Sequence, residues 1–435
     1  MSAELNSIQD SYLFTTSQRR LLAREQEAGI LPADQLVNTS IRQQQYDRLE
    51  SMIGHTPLLR IYGPKNTLLL AKDESQNPTG SHYDRVYVPT LRRLEEEGII
   101  QPGDNLYEVT SGSAGIAFAW ACSRLGYNAN IFVPARIPQA RKQEMVNFGA
   151  RLVPVVEGYV PEASAEEWKQ FSGLVRQRRY KLAKHETNDF SIITAVGKND
   201  KGEEERMCLM NHSENPLTPK LLESIGREVS EIIPRGVGID YFVSVLGNGS
   251  NTSGVTAGLI ERWKRLQVVG VEDFDNPVQF EAKYPGEYER RYGHVPTYKP
   301  QQMFGSSAKG TKLRFMNIGM LADIRLVADA VWQQRMDDYN SGRPAVETIG
   351  ASSAGAWIVA EEVATENPGS NILLLRYDKR DRYGEPEEAI HIKGATIFAS
   401  DPKIERARTQ PLDYRQKLAE VPNDLPASLW EAYHA

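Results

Sequence analysis

The feature that most constrains the fold is a regular alternation of short apolar runs with longer segments of helical periodicity, which begins near Ile53. Apolar runs of strand length lie at seven places: residues 68–71, 105–109, 130–133, 151–155, 241–245, 268–271 and 372–375. Such runs are typical of strands buried in a parallel sheet, and the helical segments between them are typical of crossover connections. The pattern predicts an α/β protein with mainly parallel sheets.

The sequence predicts helices both before and after Ile53. Residues 115–125 (Gly-Ile-Ala-Phe-Ala-Trp-Ala-Cys-Ser-Arg-Leu) are apolar nearly all round, so we expect a helix buried on both sides that ends at Gly126. Two more helices are predicted at residues 252–266 and 353–365. Residues 1–52 are polar and rich in Gln and Arg, which predicts an arm of one or two helices.

Composition excludes several classes of function. The formal net charge of −6 argues against general electrostatic binding to nucleic acid or to an anionic membrane. Two cysteines and seven scattered histidines suit neither a disulfide framework nor a metal site, so we expect no metal. No run approaches the roughly 20 apolar residues that span a bilayer, and the N-terminus lacks an apolar signal core. We expect a cytoplasmic protein whose partners are small molecules or proteins.

The most informative segment is residues 77–85 (Asn-Pro-Thr-Gly-Ser-His-Tyr-Asp-Arg), which follows a predicted strand and precedes a helical pattern. Junctions of this kind are where α/β proteins build binding sites. The segment resembles the Asn-Pro-(Gly/Thr)-Gly-Ser-x-Lys-Asp-Arg pattern of cysteine synthase, cystathionine β-synthase and threonine synthase, which are fold-type II pyridoxal-phosphate enzymes. The one departure is Tyr83, which falls where the resemblance places the lysine that forms the aldimine with pyridoxal phosphate.

Further motifs resemble the same family and occur in the same order along the chain. Residues 53–58 (Ile-Gly-His-Thr-Pro-Leu) are similar to the family's Ile-Gly-Asn-Thr-Pro-Leu, and residues 108–115 (Glu-Val-Thr-Ser-Gly-Ser-Ala-Gly) resemble Glu-Pro-Thr-Ser-Gly-Asn-Thr-Gly. The resemblance implies that Thr110, Ser111 and Gly112 hold a substrate carboxylate at a helix N-terminus, where the dipole favours an anion. Ser113 takes the place of the asparagine that bonds the phenolic oxygen of the cofactor in relatives.

Residues 247–254 (Gly-Asn-Gly-Ser-Asn-Thr-Ser-Gly) follow a predicted strand and resemble the Gly-x-Gly-Gly-Thr phosphate cup of the family. Glycines let a backbone approach a phosphate closely, and a helix start supplies unpaired N–H groups. The resemblance makes Gly247, Asn248, Gly249, Ser250 and Asn251 the expected phosphate contacts, with Ser250 and Asn251 in place of the usual glycine and threonine. The alternative is a plain strand-to-helix turn.

The resemblance covers about residues 53–385 and implies a tryptophan synthase β-like fold of two lobes. Residues 350–355 (Gly-Ala-Ser-Ser-Ala-Gly) resemble the loop whose serine bonds the pyridine nitrogen, a role that the resemblance gives to Ser353, with Ser352 as the alternative. We expect the arm at 1–52, the family domain at 53–400 with a smaller mobile lobe at about 76–190, and a tail at 401–435. Relatives are usually homodimers, so a dimer is the expectation here.

Tyr83 decides what chemistry remains. A phenol cannot form an aldimine, so Tyr83 cannot replace the lysine covalently. Tyr83 and His82 are candidate acid–base groups, and the alternative for Tyr83 is a packing residue that fills the space of an absent cofactor. Lys309 and Lys312 offer a new amine, because their segment falls where relatives carry a glycine-rich loop beside the active-site mouth. His212 lies where relatives place a glutamine near the substrate.

Three functions remain open on these residues. In the first, the chain is a pseudoenzyme that keeps the fold for ligand binding or scaffolding, since the lysine, the asparagine and part of the cup are lost together. In the second, it is an amino-acid lyase or β-replacement transferase acting on a serine- or cysteine-like amino acid, with pyridoxal phosphate held non-covalently or by a relocated lysine. In the third, the pocket takes another phosphorylated or carboxylated ligand.

Overall fold

The computed structural model describes residues 16–110, 112–134, 137–155, 163–187, 190–199, 201–299, 302–303, 305–307, 310–383, 391–392 and 395–396. The strands are β1 (Leu58–Tyr62), β2 (Leu68–Asp73), β3 (Asn105–Val109), β4 (Asn128–Pro134), β5 (Arg151–Val155), β6 (Lys181–Glu186), β7 (Ser191–Lys198), β8 (Glu204–Leu209), β9 (Tyr241–Val245), β10 (Gln267–Asp273), β11 (Asp323–Val327), β12 (Asn371–Arg376), β13 (His391–Ile392) and β14 (Ala395–Thr396). The α-helices are α1 (Thr16–Glu27), α2 (Thr39–Ser51), α3 (Asp84–Glu96), α4 (Ser113–Leu125), α5 (Gln139–Asn147), α6 (Ala163–Arg178), α7 (Leu217–Ile232), α8 (Ser250–Ile260), α9 (Val278–Lys283), α10 (Glu287–Tyr292), α11 (Asp329–Asn340) and α12 (Ala351–Glu366). Short 3-10 helices occupy Ala33–Gln35, Pro64–Asn66, Glu74–Gln76, Ile318–Met320, Ala345–Glu347 and Arg380–Arg382.

Within the described ranges, the strands form two six-stranded sheets and one short hairpin. The first sheet has the order β1-β2-β12-β9-β10-β11 and is parallel apart from the β1–β2 pair. The second has the order β5-β4-β3-β8-β7-β6, in which β6 and β7 pair antiparallel to their neighbours. The predicted tryptophan synthase β-like α/β fold, with two lobes and mainly parallel sheets, is confirmed.

The predicted strands are all present, and β3, β5 and β9 have the predicted bounds. The prediction missed β1, β6, β7, β8, β11, β13 and β14, and it made α8 too long. This helix ends at Ile260 rather than Leu266, because the chain turns at Arg262, whose guanidinium donates to the carbonyls of Ile233 (2.8 Å) and Pro234 (2.7 Å) beyond the end of α7.

Each sheet carries its own apolar core. Helix α4 has ten buried residues among its 13 and ends at Gly126, whose φ of 77° is left-handed, as the sequence predicted. The backbones of helices α7 and α8 are in direct contact. A Cβ on Gly254 or Gly258 would collide with carbonyls of α7, so only glycine permits this close approach. Since α8 begins directly after residues 247–249, this close packing fixes the position of that loop.

The N-terminal helices bind to both lobes. Ser17 Oγ donates to Asp381 Oδ2 (2.9 Å) of the lobe built on the first sheet. Glu25 accepts from Trp120 Nε1 (2.6 Å) and from the Arg124 guanidinium (2.7 Å), which both belong to α4 in the other lobe. Helix α1 is thus anchored at both sides of the junction between the lobes. No described helix combines the length and the apolar character needed to cross a bilayer.

Candidate functional site

The loop between β2 and α3 is held by its own polar side chains. Asn77 Oδ1 accepts from the Gly54 N–H (2.9 Å), and Asn77 Nδ2 donates to Glu74 Oε2 (2.8 Å). The Thr79 N–H donates to Asp84 Oδ2 (2.7 Å), and the Thr79 hydroxyl bonds the same carboxyl group. Burial raises the pKa of Asp84 to about 6. These bonds fix the start of α3 and therefore the positions of the two residues that precede it.

Tyr83 is the N-cap residue of α3 and lies at the junction of the two lobes. Its side chain packs against the apolar clusters of both lobes. Burial raises its pKa, and the nearby Glu108 and Tyr377 raise it further. Its hydroxyl makes no hydrogen bond to any residue that the structure describes. The environment therefore keeps the phenol protonated and is opposite to what a general base needs.

His82 is buried next to Tyr83. Its side chain is 7% exposed, and its Nδ1 has no hydrogen-bond partner among the described residues. Burial lowers the pKa of His82 to about 4, although the charge of Glu74 opposes this shift. The His82 ring lies 4.2 Å from the Tyr83 ring, centroid to centroid, and 5.7 Å from the Tyr377 ring. His82 is therefore a neutral member of an aromatic cluster.

His212 faces the same cluster from the second sheet. Its ring is edge-on to the Tyr83 ring at 5.4 Å. Its Nδ1 lies 3.0 Å from Glu108 Oε1, which makes an ion pair when the imidazole is protonated, although the angle falls outside hydrogen-bond geometry. Tyr87 also donates to Glu108 Oε2 (3.0 Å). The predicted residues Tyr83, His82 and His212 are thus brought together.

The loop at the start of α4 is covered by an arginine that the sequence reasoning missed. The Gly112 N–H donates to Thr110 Oγ1 (3.1 Å), while Ser111 lies outside the described residues. A Cβ on Gly112 would collide with the Arg141 guanidinium, so only glycine lets this arginine of α5 lie so close to the loop. Buried cations of this kind are usually paired, and Arg141 Nη2 lies 3.6 Å from Asp378 Oδ2.

Ser113 joins the same charged cluster, which we call the Arg141 cluster: Arg141, Glu144, Asp378, Arg382 and Tyr383. Ser113 Oγ accepts from Arg382 Nη1 (2.9 Å) and donates to Asp378 Oδ2 (3.3 Å). Tyr383 Oη donates to Asp378 (2.9 Å), and the Arg141 guanidinium stacks 4.7 Å above the Tyr383 ring. Burial raises the pKa of Asp378, and the two arginines oppose the shift. The side chain at position 113 is therefore fully occupied by internal contacts.

The residues expected to form a phosphate cup bond one another. Asn248 Oδ1 accepts from both the N–H (3.0 Å) and the hydroxyl (2.7 Å) of Ser250, so the first amide of α8 is already capped. Gly249 has a left-handed φ of 88°, and a Cβ on Gly247 would meet the Gly305 carbonyl at 3.1 Å. Asn251 Oδ1 is buried and has no hydrogen-bond partner among the described residues.

Tyr377 connects this loop to Ser353 and was not singled out from the sequence. Its phenol accepts from the Val245 N–H (3.0 Å) and lies 3.3 Å from Ser244 Oγ, at the end of β9. Its own N–H donates to Ser353 Oγ (2.9 Å). The single available signal was an aromatic residue directly after a buried strand, which is too common a pattern to identify a site residue.

The two lysines proposed as new amines have different outcomes. Lys309 lies outside the described residues. Lys312 is partly buried and directly precedes two residues that touch the loop: a Cβ on Gly249 would lie 3.2 Å from Leu313, and the Arg314 N–H donates to the Asn248 carbonyl (3.1 Å). Lys312 is therefore next to the loop of residues 247–251.

The sequence and the structure were both compared with those of known proteins. Cysteine synthase B of Escherichia coli (strain K12) is 28% identical over 342 residues, which cover 77% of this chain and 93% of the relative. Among solved structures, a hydrogen sulfide-producing enzyme from Fusobacterium nucleatum superposes with a TM-score of 0.60 at 22% identity, covering 78% of this chain and 90% of that one. Cysteine synthase from Entamoeba histolytica gives a TM-score of 0.58 at 21% identity, with 84% and 96% covered.

The two structural neighbours establish the fold alone, whereas a sequence model establishes the family. The model described as pyridoxal-phosphate dependent enzyme matches residues 49–312, which contain the loops of Tyr83, Gly112 and Asn248. Since that match spans more than half of the sequence, this chain belongs to the pyridoxal-phosphate dependent enzyme family.

Proposed function

We propose that this protein is a cysteine synthase-like member of the family that no longer forms a lysine aldimine and that acts by binding a ligand rather than by pyridoxal chemistry. The observation that carries the proposal is the direct contact of His82 with both Tyr83 and Tyr377. Aromatic rings in direct contact have centroids about 4.5–7 Å apart. No further ring fits between His82 and Tyr377 at 5.7 Å.

The loop at residues 247–251 supports the same conclusion. A phosphate is bound by unpaired N–H groups, and the Ser250 amide is capped by Asn248 while the Val245 amide is bonded to Tyr377. The buried side-chain atom of this loop without a partner among the described residues is Asn251 Oδ1, which requires a donor, whereas a phosphate offers mainly acceptors. The side-chain contacts of this loop therefore differ from those that the family pattern implies for a phosphate.

The loop at residues 110–113 favours a small carboxylate, such as an amino acid, as the ligand. The Arg141 guanidinium lies against Gly112, and a guanidinium binds a carboxylate in a planar, bidentate manner. The Thr110 hydroxyl, which accepts from the Gly112 N–H, and the start of α4 add polar groups to this loop. A carboxylate here would complement a cation that now lies 3.6 Å from Asp378.

Absorption spectroscopy tests the loss of the aldimine. The purified chain is mixed with pyridoxal phosphate, its visible spectrum is compared with that of the free cofactor, and the mixture is reduced with borohydride and mapped by mass spectrometry. We expect no band beyond that of the free cofactor and no stoichiometrically labelled lysine. Cysteine synthase B of Escherichia coli, treated identically, is the positive control. A single lysine labelled in full would overturn the proposal.

A second function, an amino-acid lyase or β-replacement transferase with a relocated amine, is favoured by the position of Lys312 beside the loop of residues 247–251. In that case the label would map to Lys312 and would disappear in Lys312→Met. Lys264→Met is the matched control, because Lys264 is exposed. Labelling that is equal in both variants would remove this alternative.

A further inference from the structure

A separate cavity of about 170 Å³ lies between α1, the loop of residues 75–80 and the turn Arg380–Arg382. It shares Asn77, Thr79, Glu144 and Arg382 with the candidate site, but α1 forms one of its walls. A cavity of about 150 Å³ holds a molecule the size of benzene. The space therefore suits a ligand of about six non-hydrogen atoms.

The walls of the cavity are rich in cations, although the whole chain has a net charge of −6. The ionisable side chains that line it are Arg20, Arg24, Lys379, Arg382, Glu144 and Asp381. Burial raises the pKa of Glu144 to about 7, so this carboxyl group is partly neutral near neutral pH. Asp381 also accepts a hydrogen bond from Ser17 (2.9 Å), so one of its carboxylate oxygens already has a donor other than a cation. Positive charge therefore dominates the cavity.

Two of the cations already have acceptors. Arg24 donates to the carbonyls of Gln76 (3.2 Å) and Met52 (3.2 Å), and Arg382 bonds the carbonyls of Thr79 and Gly80. These bonds attach both walls to the loop that precedes His82 and Tyr83. The two arginines set the positive potential of the site, but their donors are largely used.

The other two cations are without such acceptors. Neither Lys379 Nζ nor the Arg20 guanidinium makes a hydrogen bond or an ion pair with any residue that the structure describes. Lys379 is partly buried, and this burial lowers its pKa, while Asp381 opposes the shift. A desolvated ammonium without an acceptor costs free energy that an anion would recover. The two side chains belong to different walls, α1 and the segment after β12.

We propose that this cavity binds a small oxyanion, namely sulfate, phosphate or a short carboxylate, between Arg20 and Lys379. The anion supplies acceptors that neither side chain has among the described residues, and it neutralises the excess positive charge of the cavity. Its binding joins α1 to the segment that follows β12. The two side chains that would hold the anion, Arg20 and Lys379, belong neither to the aromatic cluster nor to the loop of residues 247–251.

Isothermal titration calorimetry of the full chain tests the site, with phosphate, sulfate and acetate titrated separately at constant ionic strength. Charge-assisted hydrogen bonds contribute about 1.5–3 kcal/mol. We therefore expect Lys379→Met and Arg20→Gln each to raise the Kd at least roughly tenfold. Arg19→Gln is the matched control, because Arg19 is an exposed arginine of the same helix that does not line the cavity. Thr110→Val should leave this binding unchanged, because Thr110 belongs to the loop of residues 110–113 and does not line the cavity, and so separates the cavity from the carboxylate site in the cleft.

The pattern of binding identifies the source of the anion. Tight binding of phosphate or sulfate supports an inorganic ligand, and preference for acetate supports an organic acid. Arg20→Gln keeps the test decisive if Lys379→Met fails to fold, because Arg20 is exposed. Absence of binding by all three anions at millimolar concentration, or an equal loss in Arg19→Gln, would refute the site.

Discussion

Replacing Tyr83 separates a packing role from a chemical role. The ring lies between the apolar clusters of the two lobes, so Tyr83→Ala opens a cavity at their junction. Truncation of a buried aromatic residue costs about 3–5 kcal/mol, and the partial exposure of Tyr83 places the expected loss near the lower end, at about 3 kcal/mol. Tyr83→Phe removes a hydroxyl without a hydrogen-bond partner among the described residues and should change stability by less than about 0.5 kcal/mol.

The assay is urea unfolding followed by tryptophan fluorescence, with both lobes allowed to unfold separately in the fit. Tyr383→Phe is the matched control, because its hydroxyl donates to Asp378 (2.9 Å) inside the Arg141 cluster. A hydrogen bond to a charged group contributes about 1.5–3 kcal/mol, so the control should lose far more than Tyr83→Phe. The reasoning fails if Tyr83→Ala costs less than about 1 kcal/mol, or if the two Phe variants lose the same amount.

Three further predictions concern buried charges. Burial raises the pKa of Glu144 to about 7, so the stability that this group contributes is complete below about pH 4.5 and is lost as the pH rises through 7. The Tm of the protein should therefore fall between pH 5 and 8, and this fall should be smaller in Glu144→Gln. Arg141→Ala removes one of the two guanidinium groups near Asp378 and should lower the free energy of unfolding in urea by about 3 kcal/mol. An unchanged urea midpoint would contradict the pairing of Arg141 with Asp378. Glu25→Ala removes the acceptor of Trp120 and should speed proteolysis between α1 and α2, with no effect expected from Glu27→Ala on the exposed face.

The large-scale fold was predictable because its central strands are buried on both faces. Strands β3 and β9 lie inside their sheets and are largely buried, and the sequence reasoning found their exact bounds, as it did those of the edge strand β5. Strand β6 (Lys181–Glu186) was missed because it is an exposed edge strand that carries three charged residues and, within the described ranges, pairs only with β7. Such strands form through their partners rather than through an apolar pattern of their own.

The site was predictable only in its loops. The motifs at residues 77–85, 108–115 and 247–254 gave the positions of Tyr83, Ser113 and Asn248 on their elements. The side chains that occupy the space between those loops come from distant segments, as when Arg382 bonds Ser113 across 269 residues. A contact of this kind depends on the packing of two lobes, and no local pattern in one sequence encodes it.

The occupied cleft also implies that Tyr83 is not an isolated change. An amine at position 83 would still face the His82–Tyr377 contact, and Tyr377 would still hold the Val245 amide. We therefore expect Tyr83→Lys alone to give no visible imine band with pyridoxal phosphate and no label at position 83 after borohydride reduction. Combining it with Tyr377→Ala removes the second ring and frees the amide, so the double variant should label more than either single one. Full labelling of Tyr83→Lys alone would mean that the cleft opens in solution far enough to admit the cofactor, and that the lost lysine by itself accounts for the lost chemistry.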